Sequence, residues 1–292
     1  MKENYINVCR FYAVSPIHAG SGMSTGAVDL PIQRERHTNW PHVQASAVKG
    51  SMRAAFRERN EDRELINIIF GSDDQDDWDK EYKKNFKDSD SLPGALSVSD
   101  AKLLAFPMRS NIAPFVWVSS PAVLERFNRD MELAGLESLK VDIPELKEKE
   151  NAAVYFNTNE KSILLEDIVV NAAIKEESIS VGKFFNGIDK LVVVSDQVYK
   201  HCVDSCTEVQ TQIKIDSKTG TAQNGALRYI ELLPSDSLLY SIVNIVDSPY
   251  GESFKAKTIL DTVISTIKDF IQIGGESTLG RGICKISWEK EN

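Results

Sequence analysis

Tyr5 to Val14 is rich in β-branched and aromatic residues and predicts a strand; Ser46 opens a run that predicts a helix through Arg59. Between them, Ser15 to Trp40 predicts no regular element, and Pro41 breaks any regular structure there. A connection of that length inside a compact domain is either functional or disordered, so the fold has to be organised around it. It carries Gly20, Gly22 and Gly26, which allow close backbone approach to a ligand. It also carries one imidazole, His18, and one carboxylate, Asp29, followed by the basic cluster Arg34, Arg36 and His37. The predicted helix adds Lys49, Arg53, Arg57 and Arg59. Hydrophobic anchors within the loop are expected to be few.

Carboxylate, imidazole and cations in one glycine-rich loop suit phosphodiester chemistry. A carboxylate can hold a divalent ion or accept a proton, and cations hold the phosphate. The formal net charge of −9 argues the other way, since nucleic-acid binders are usually basic. The charge is unevenly spread, however. Leu30 to Asn60 contains six Lys/Arg against two Glu, whereas Ser72 to Asp90 contains eight Asp/Glu against four Lys. Exposed charges more than roughly 8 Å apart are screened in physiological salt, so a local basic face can bind phosphate on an acidic chain.

Strands are predicted at Gly94–Leu104, Phe115–Ser119, Leu191–Ser195, Ser237–Val246 and Ile283–Trp288. Helices are predicted at Glu61–Phe70, from Pro121 to about Leu133, from Asp196 as cap to Val203, and over Phe254–Ile271. Thr211 to Asp216 and Ala226 to Leu232, joined by turn residues, predict a projecting β-hairpin. Gly135 to Gly187 has no clear period and is expected to be an insertion with local elements. The order implies an α+β fold with a ferredoxin-like or RRM-like core. No apolar run is long enough to span a membrane. Cys9, Cys202, Cys206 and Cys284 have no framework spacing, and with no signal peptide evident, reduced thiols in a cytoplasmic protein are expected.

Several chemistries are excluded by context. Ser46 to Lys49 matches S-x-x-K and Lys218 to Gly220 matches K-T-G, but the latter falls in a turn where a Ser–Lys acyl enzyme needs a strand edge. His201, Cys202 and Cys206 lack the fourth ligand of a closed zinc site. Gly274 to Gly282 follows a helix and precedes a strand, the reverse of a dinucleotide fingerprint; it reads either as a phosphate-contacting loop with Arg281 as cation or as a tight structural turn. Ser72 to Asp90 lacks the Gly and terminal Glu of a calcium loop and is expected to be a solvated loop.

Five segments in order, SPIHAGSG, GAVDLPIQRE, ASAVKGSMR, GALRYIELLP and GGESTLGRG, give the chain a resemblance from about Tyr12 to Ile286. It resembles the backbone ribonuclease subunits of type III-B CRISPR (Cmr) effectors in the RAMP superfamily. That resemblance implies one modified RRM-like (RAMP) domain over the whole chain, with insertions and a β-hairpin thumb near Thr211–Leu232. It implies a filament of copies on guide RNA, alongside other Cmr subunits. Target RNA would be cut at regular intervals by its own 2′-hydroxyl, leaving a 2′,3′-cyclic phosphate, with Mg²⁺ or Mn²⁺ bound only when RNA phosphate completes the shell.

By the same resemblance, Asp29 matches the essential aspartate and carries the metal, and His18 matches a histidine of the same loop. Tyr229 and Glu231 match a catalytic thumb-base pair. Ser46 and Lys49 match the helix start that grips the guide backbone, where a helix dipole also favours phosphate; Arg53, Arg34, Arg36 and Arg281 complete the expected RNA contacts. An aromatic usual beside the thumb tyrosine is Arg228 here. The alternative reading is a scaffold of the same superfamily that binds guide RNA without cleavage.

Overall fold

The structure is a computed structural model, and residues 4–72, 91–137, 143–146, 148, 151–174, 188–248 and 254–289 are described. The acidic stretch Ser72 to Asp90 lies outside them except for Ser72. In chain order the elements are β1 (Asn4–Ala13), β2 (His42–Val43), α1 (Ala45–Arg59), α2 (Arg63–Phe70), β3 (Leu96–Val98), β4 (Ala101–Met108) and β5 (Val116–Ser119). There follow α3 (Pro121–Leu133), β6 (Asn151–Val154), β7 (Ser162–Leu165), β8 (Ile168–Ile174), β9 (Leu191–Val194), α4 (Asp196–Ser205), β10 (Glu208–Gln212) and β11 (Arg228–Leu232). The chain closes with β12 (Leu238–Val246), α5 (Ala256–Thr266), β13 (Phe270–Gln272) and β14 (Ile283–Trp288).

One mixed sheet runs in the order β13-β14-β1-β12-β4-β5-β9-β6-β8-β7, with β2 on β4 and β3 on β12; the architecture is α+β. β1 lies between β12 and β14, in register from Asn4↔Val246 to Tyr12↔Leu238 on one side and from Cys9↔Trp288 to Ala13↔Cys284 on the other. Its run of buried residues is continuous rather than alternating, as expected for a strand covered on both faces. β1 therefore delivers the long loop from the middle of the sheet. Ala13 N–H donates to the Ser237 carbonyl and Val14 N–H to the Ile283 carbonyl, so the loop's entry is fixed by both neighbours.

Several elements depart from the sequence reading; the first hairpin strand, read at Thr211–Asp216, is Glu208–Gln212, since that is the stretch that pairs with Arg228–Leu232. The helix expected over Phe254–Ile271 ends at Thr266, and Phe270–Gln272 instead pairs with β14. Trp288 Nε1 donates to the Ile267 carbonyl at 2.8 Å, closing the helix where the sheet resumes. An apolar run fits either state until a partner strand selects one. The region read as an insertion supplies β6, β7 and β8, which extend the main sheet: β6 pairs antiparallel with β9 and parallel with β8.

β10 and β11 stand apart as a two-stranded sheet, in register from Glu208↔Leu232 to Gln212↔Arg228. Its distal turn is held by Asp216, whose Oδ1 accepts from Lys218 N–H and Thr219 N–H, with Gly220 at φ 69°. A two-stranded hairpin is marginal alone, so its position depends on what grips its base.

All four cysteines are free thiols. Burial pushes the Cys202 thiol up to about 12 and Cys206 up to about 11. At pH 8 the nucleophilic thiolate is scarce at both. Alkylation of the native protein by iodoacetamide should be at least roughly 100-fold slower than that of a free cysteine, and should reach the ordinary rate in denaturant; mass spectrometry of the labelled protein checks this.

Candidate active site

The outer edge of β11 is the backbone on which the site is assembled. Leu30 N–H donates to the Tyr229 carbonyl and Glu231 N–H to the Leu30 carbonyl, each at 3.0 Å. Ile17 and Leu233 exchange N–H···O bonds at 2.8 and 2.9 Å. Both limbs of the loop thus lie along one strand edge and satisfy its donors and acceptors. The loop is well anchored, against expectation: Ile17, Ala19, Ile32 and Trp40 are all buried. Gln33 ties its turns together, donating from Nε2 to the Gly20 carbonyl at 3.1 Å and accepting from Gln44 N–H at 2.7 Å.

Asp29 and His18 are brought together by this edge. Asp29 Oδ2 accepts from Tyr229 N–H at 2.7 Å. His18 Nδ1 lies 2.9 Å from the Glu231 carbonyl. A carbonyl only accepts, so Nδ1 carries a proton and, in the neutral ring, Nε2 holds the lone pair. Nε2 faces Gly20, where a Cβ would come within 2.8 Å of it. Behind the ring, Gly275 N–H donates to the His18 carbonyl at 2.9 Å, and a Cβ on Gly274 would lie 2.4 Å from that oxygen. Glycine is required at 20 and 274 because the imidazole and its backbone fill the space.

Glu231 and Arg34 have a different place from the one expected. Glu231 is buried, and its carboxylate accepts from Ile32 N–H at 3.0 Å, Arg34 Nη2 at 2.6 Å and Thr207 Oγ1 at 2.8 Å. Arg34 also donates from Nη1 to the carbonyls of Asn39 and Val203, and its side chain is 16% exposed. This carboxylate braces the loop against β11 rather than facing substrate, and this guanidinium pins the loop to α4 instead of being offered to RNA. Tyr229 meets Asp29 through its backbone; its ring is 40% exposed. Arg281 is likewise engaged, donating from Nη2 to Gln210 Oε1.

The start of α1 also differs. The helix begins at Ala45 with Gln44 as N-cap, and Ser46 is an exposed first-turn residue. Ala45 N–H donates to Asp100 Oδ1 at 2.7 Å, so a carboxylate from a distant loop already serves this terminus. Lys49 is half-buried without a carboxylate partner among the described residues. Burial, then the neighbouring Arg53, lowers its affinity for a proton, so an approaching anion would be welcome there. Arg53 reaches Asn67 Oδ1 at 3.5 Å, and Arg36 is exposed without a hydrogen bond or ion pair among the described residues. At the loop's far end, residues the sequence did not flag do the holding. Arg126 of α3 donates to Glu35 Oε1 at 2.6 Å and sits 5.0 Å over Trp40, which meets Tyr199 of α4 edge-on at 5.3 Å.

A family model for the RAMP superfamily matches residues 10–285. The chain belongs to the RAMP superfamily. Among curated proteins, the CRISPR system Cmr endoribonuclease Cmr4 of Pyrococcus furiosus is 33% identical over 290 residues, spanning 94% of this chain and 93% of that one. The CRISPR system CMR subunit Cmr4 of Saccharolobus solfataricus is 26% identical, spanning 94% of each. The crystal structure of oligomeric Cmr4 from Pyrococcus furiosus is similar over 100% of this chain and 99% of that one, with a TM-score of 0.73 and 28% identity. The main sheet, the loop delivered by β1 and the separate β10–β11 hairpin are thus features of a RAMP protein.

Arg34→Ala would leave the Glu231 carboxylate buried beside an empty space. It is expected to destabilise the fold by about 3 kcal/mol in denaturant unfolding, while Arg36→Ala on the exposed side changes stability by about 0.5 kcal/mol or less.

Proposed function

We propose that the chain is a guide-RNA-directed endoribonuclease and backbone subunit of a type III-B CRISPR effector, acting in the cytoplasm. The observation that carries this reading is the pairing of Asp29 and His18 on two backbone groups of one strand edge, Tyr229 N–H and Glu231 C=O. The likeness to Cmr4 endoribonuclease supports it. Guide and target pair with each other, so the protein needs shape and backbone contacts rather than a base code. Lys49 and Arg53, like charges on adjacent turns without counter-ions among the described residues, suit guide phosphates, and exposed Arg36 adds to that face. Copies of the chain would stack along the guide beside other Cmr subunits, each hairpin kinking the duplex at a cut site.

In the cleavage step the target's 2′-hydroxyl loses its proton to His18 Nε2, and its oxygen bonds to the adjacent phosphorus. The P–O5′ bond breaks and the leaving oxygen takes a proton from water, giving a 2′,3′-cyclic phosphate and a 5′-hydroxyl. The Glu231 carbonyl keeps the imidazole in the tautomer that can accept. Tyr229 N–H orients the Asp29 carboxylate toward the same ribose. Among the described residues no group of three or more His, Cys, Asp or Glu could hold a metal ion alone. Asp29 fits a divalent ion as one hard oxygen ligand, so Mg²⁺ or Mn²⁺ would be shared with RNA phosphates and would neutralise their charge when bound. A scaffold that never cuts would use Asp29 and His18 only to satisfy the β11 edge, so loss of cleavage with binding kept is what separates the two readings.

The reconstituted complex with Asp29→Ala should bind complementary RNA within about twofold of wild type yet lose cleavage by roughly 10³-fold or more. Periodic cleavage that persists would move the scaffold reading to first place. Lys49→Ala should weaken guide binding and lower the slope of log K against log salt by about 1 unit, as measured by filter binding across salt concentrations.

A further inference from the structure

The loop Gly274–Gly282 touches two things at once. On one side Gly275 N–H holds the His18 carbonyl, and Gly274 leaves no room between the two backbones. On the other, the loop grips the hairpin strand β10. Glu276 Oε1 accepts from Gln212 Nε2 at 2.7 Å, and Arg281 Nη2 donates to Gln210 Oε1. Gln210 and Gln212 stand opposite Ile230 and Arg228, flanking Tyr229, the residue whose N–H holds Asp29.

Glu276 and Arg281 also face each other. Arg281 Nε and Glu276 Oε2 are both buried, neither has a hydrogen bond, and they meet as an ion pair at 3.6 Å. Their side chains are 13% and 21% exposed, so neither is presented outward as a free ligand for RNA. Glu276 adopts φ 59°, a left-handed conformation that an ordinary side chain takes up only when its surroundings compensate. The loop is closed beneath it by Ile273 N–H to the Gly282 carbonyl and Gly282 N–H to the Pro16 carbonyl, each at 2.8 Å. A strained residue on a tied-down loop is thus joined to the β10 side of a hairpin whose opposite edge, on β11, is held by the long loop.

We infer that Glu276, with Arg281, is a positioning residue for RNA cleavage: it clasps β10 to the loop behind His18, and so steadies the hairpin strand on which Asp29 and His18 are both held. The inference rests on the endoribonuclease reading above. The clasp acts through geometry alone. The hairpin holds both groups, Asp29 through Tyr229 N–H and His18 through the Glu231 carbonyl; the loop backs His18 from behind, and the Gln212–Glu276 and Gln210–Arg281 contacts join loop to hairpin. Because catalysis is steep in reacting-group placement, loosening this join costs rate rather than affinity.

The test uses the complex reconstituted with guide RNA and complementary target, assayed under single-turnover conditions with target binding measured in parallel. Glu276→Ala should slow cleavage roughly tenfold or more, with target affinity within about twofold. Gln212→Ala, which cuts the same contact from the hairpin and leaves the Glu276 loop intact, should give a similar loss even where Glu276→Ala folds poorly. The double variant should be no slower than the worse single one, because both remove one join. Glu276→Gln keeps an acceptor for Gln212 and should recover most of the rate. Binding and cleavage falling together would mean a direct RNA contact, and unchanged cleavage in Gln212→Ala would mean no clasp; either overturns the inference while Asp29→Ala in the same preparation still abolishes cutting. If Asp29→Ala also cuts normally, the endoribonuclease site has failed and the inference falls with it.

Discussion

An edge of β-strand cannot be left with unpaired N–H and C=O groups where water is excluded, and in this chain the outer edge of β11 is paired by a loop instead of a strand. Leu30 and Ile17 supply the backbone partners, and the Asp29 carboxylate and His18 imidazole supply side-chain ones. The same hydrogen bonds that satisfy the edge therefore fix the orientation of Asp29 and His18. A stretch without helix or strand becomes as fixed as the sheet because it borrows the sheet's geometry.

That arrangement redistributes the charges. Arg34 and Arg281, which a sequence reader would assign to phosphate, are drawn inward by Glu231, Gln210 and Glu276. Glu231, which reads as a catalytic acid, lies where ionised carboxylate oxygens can be met by Ile32 N–H, Arg34 and Thr207 together. Burying an ion is costly unless it is paired and hydrogen-bonded, and each of these groups is. Of the six Lys/Arg of residues 30–60, Arg34 alone is drawn inward; Arg36, Arg57 and Arg59 are exposed and Lys49 and Arg53 half-buried, so most of that basic charge stays near the surface.

Sequence patterns succeeded where one local signal decides the outcome. β1 follows from its branched and aromatic run, the start of α3 from Pro121, and the hairpin turn from Asp216 to Gly220. They failed where a distant group competes. Ser46 reads as a cap, yet Gln33 and Asp100 take the N–H groups of Gln44 and Ala45, and the helix starts earlier. Asp196 reads as the cap of α4; Ser195 fills that role, and Asp196 instead accepts from Ala122 N–H at the start of α3. Phe270 and Ile271 continue a helical apolar stripe, yet β14 recruits them as a strand.

From the order of residues alone it follows that a glycine-rich loop with His18 and Asp29 lies between a strand and a basic helix, and that its motifs are those of a RAMP protein. Those properties are carried by neighbouring residues and by ordered short segments, which a linear reading can see. Contacts between distant segments settle which charged groups stay exposed and which hold the loop. Arg34 meets Glu231 and Gln212 meets Glu276 across long stretches of chain. Whether a carboxylate is a reactant or a brace depends on how many donors the fold gathers around it, and that number has no signature along the chain.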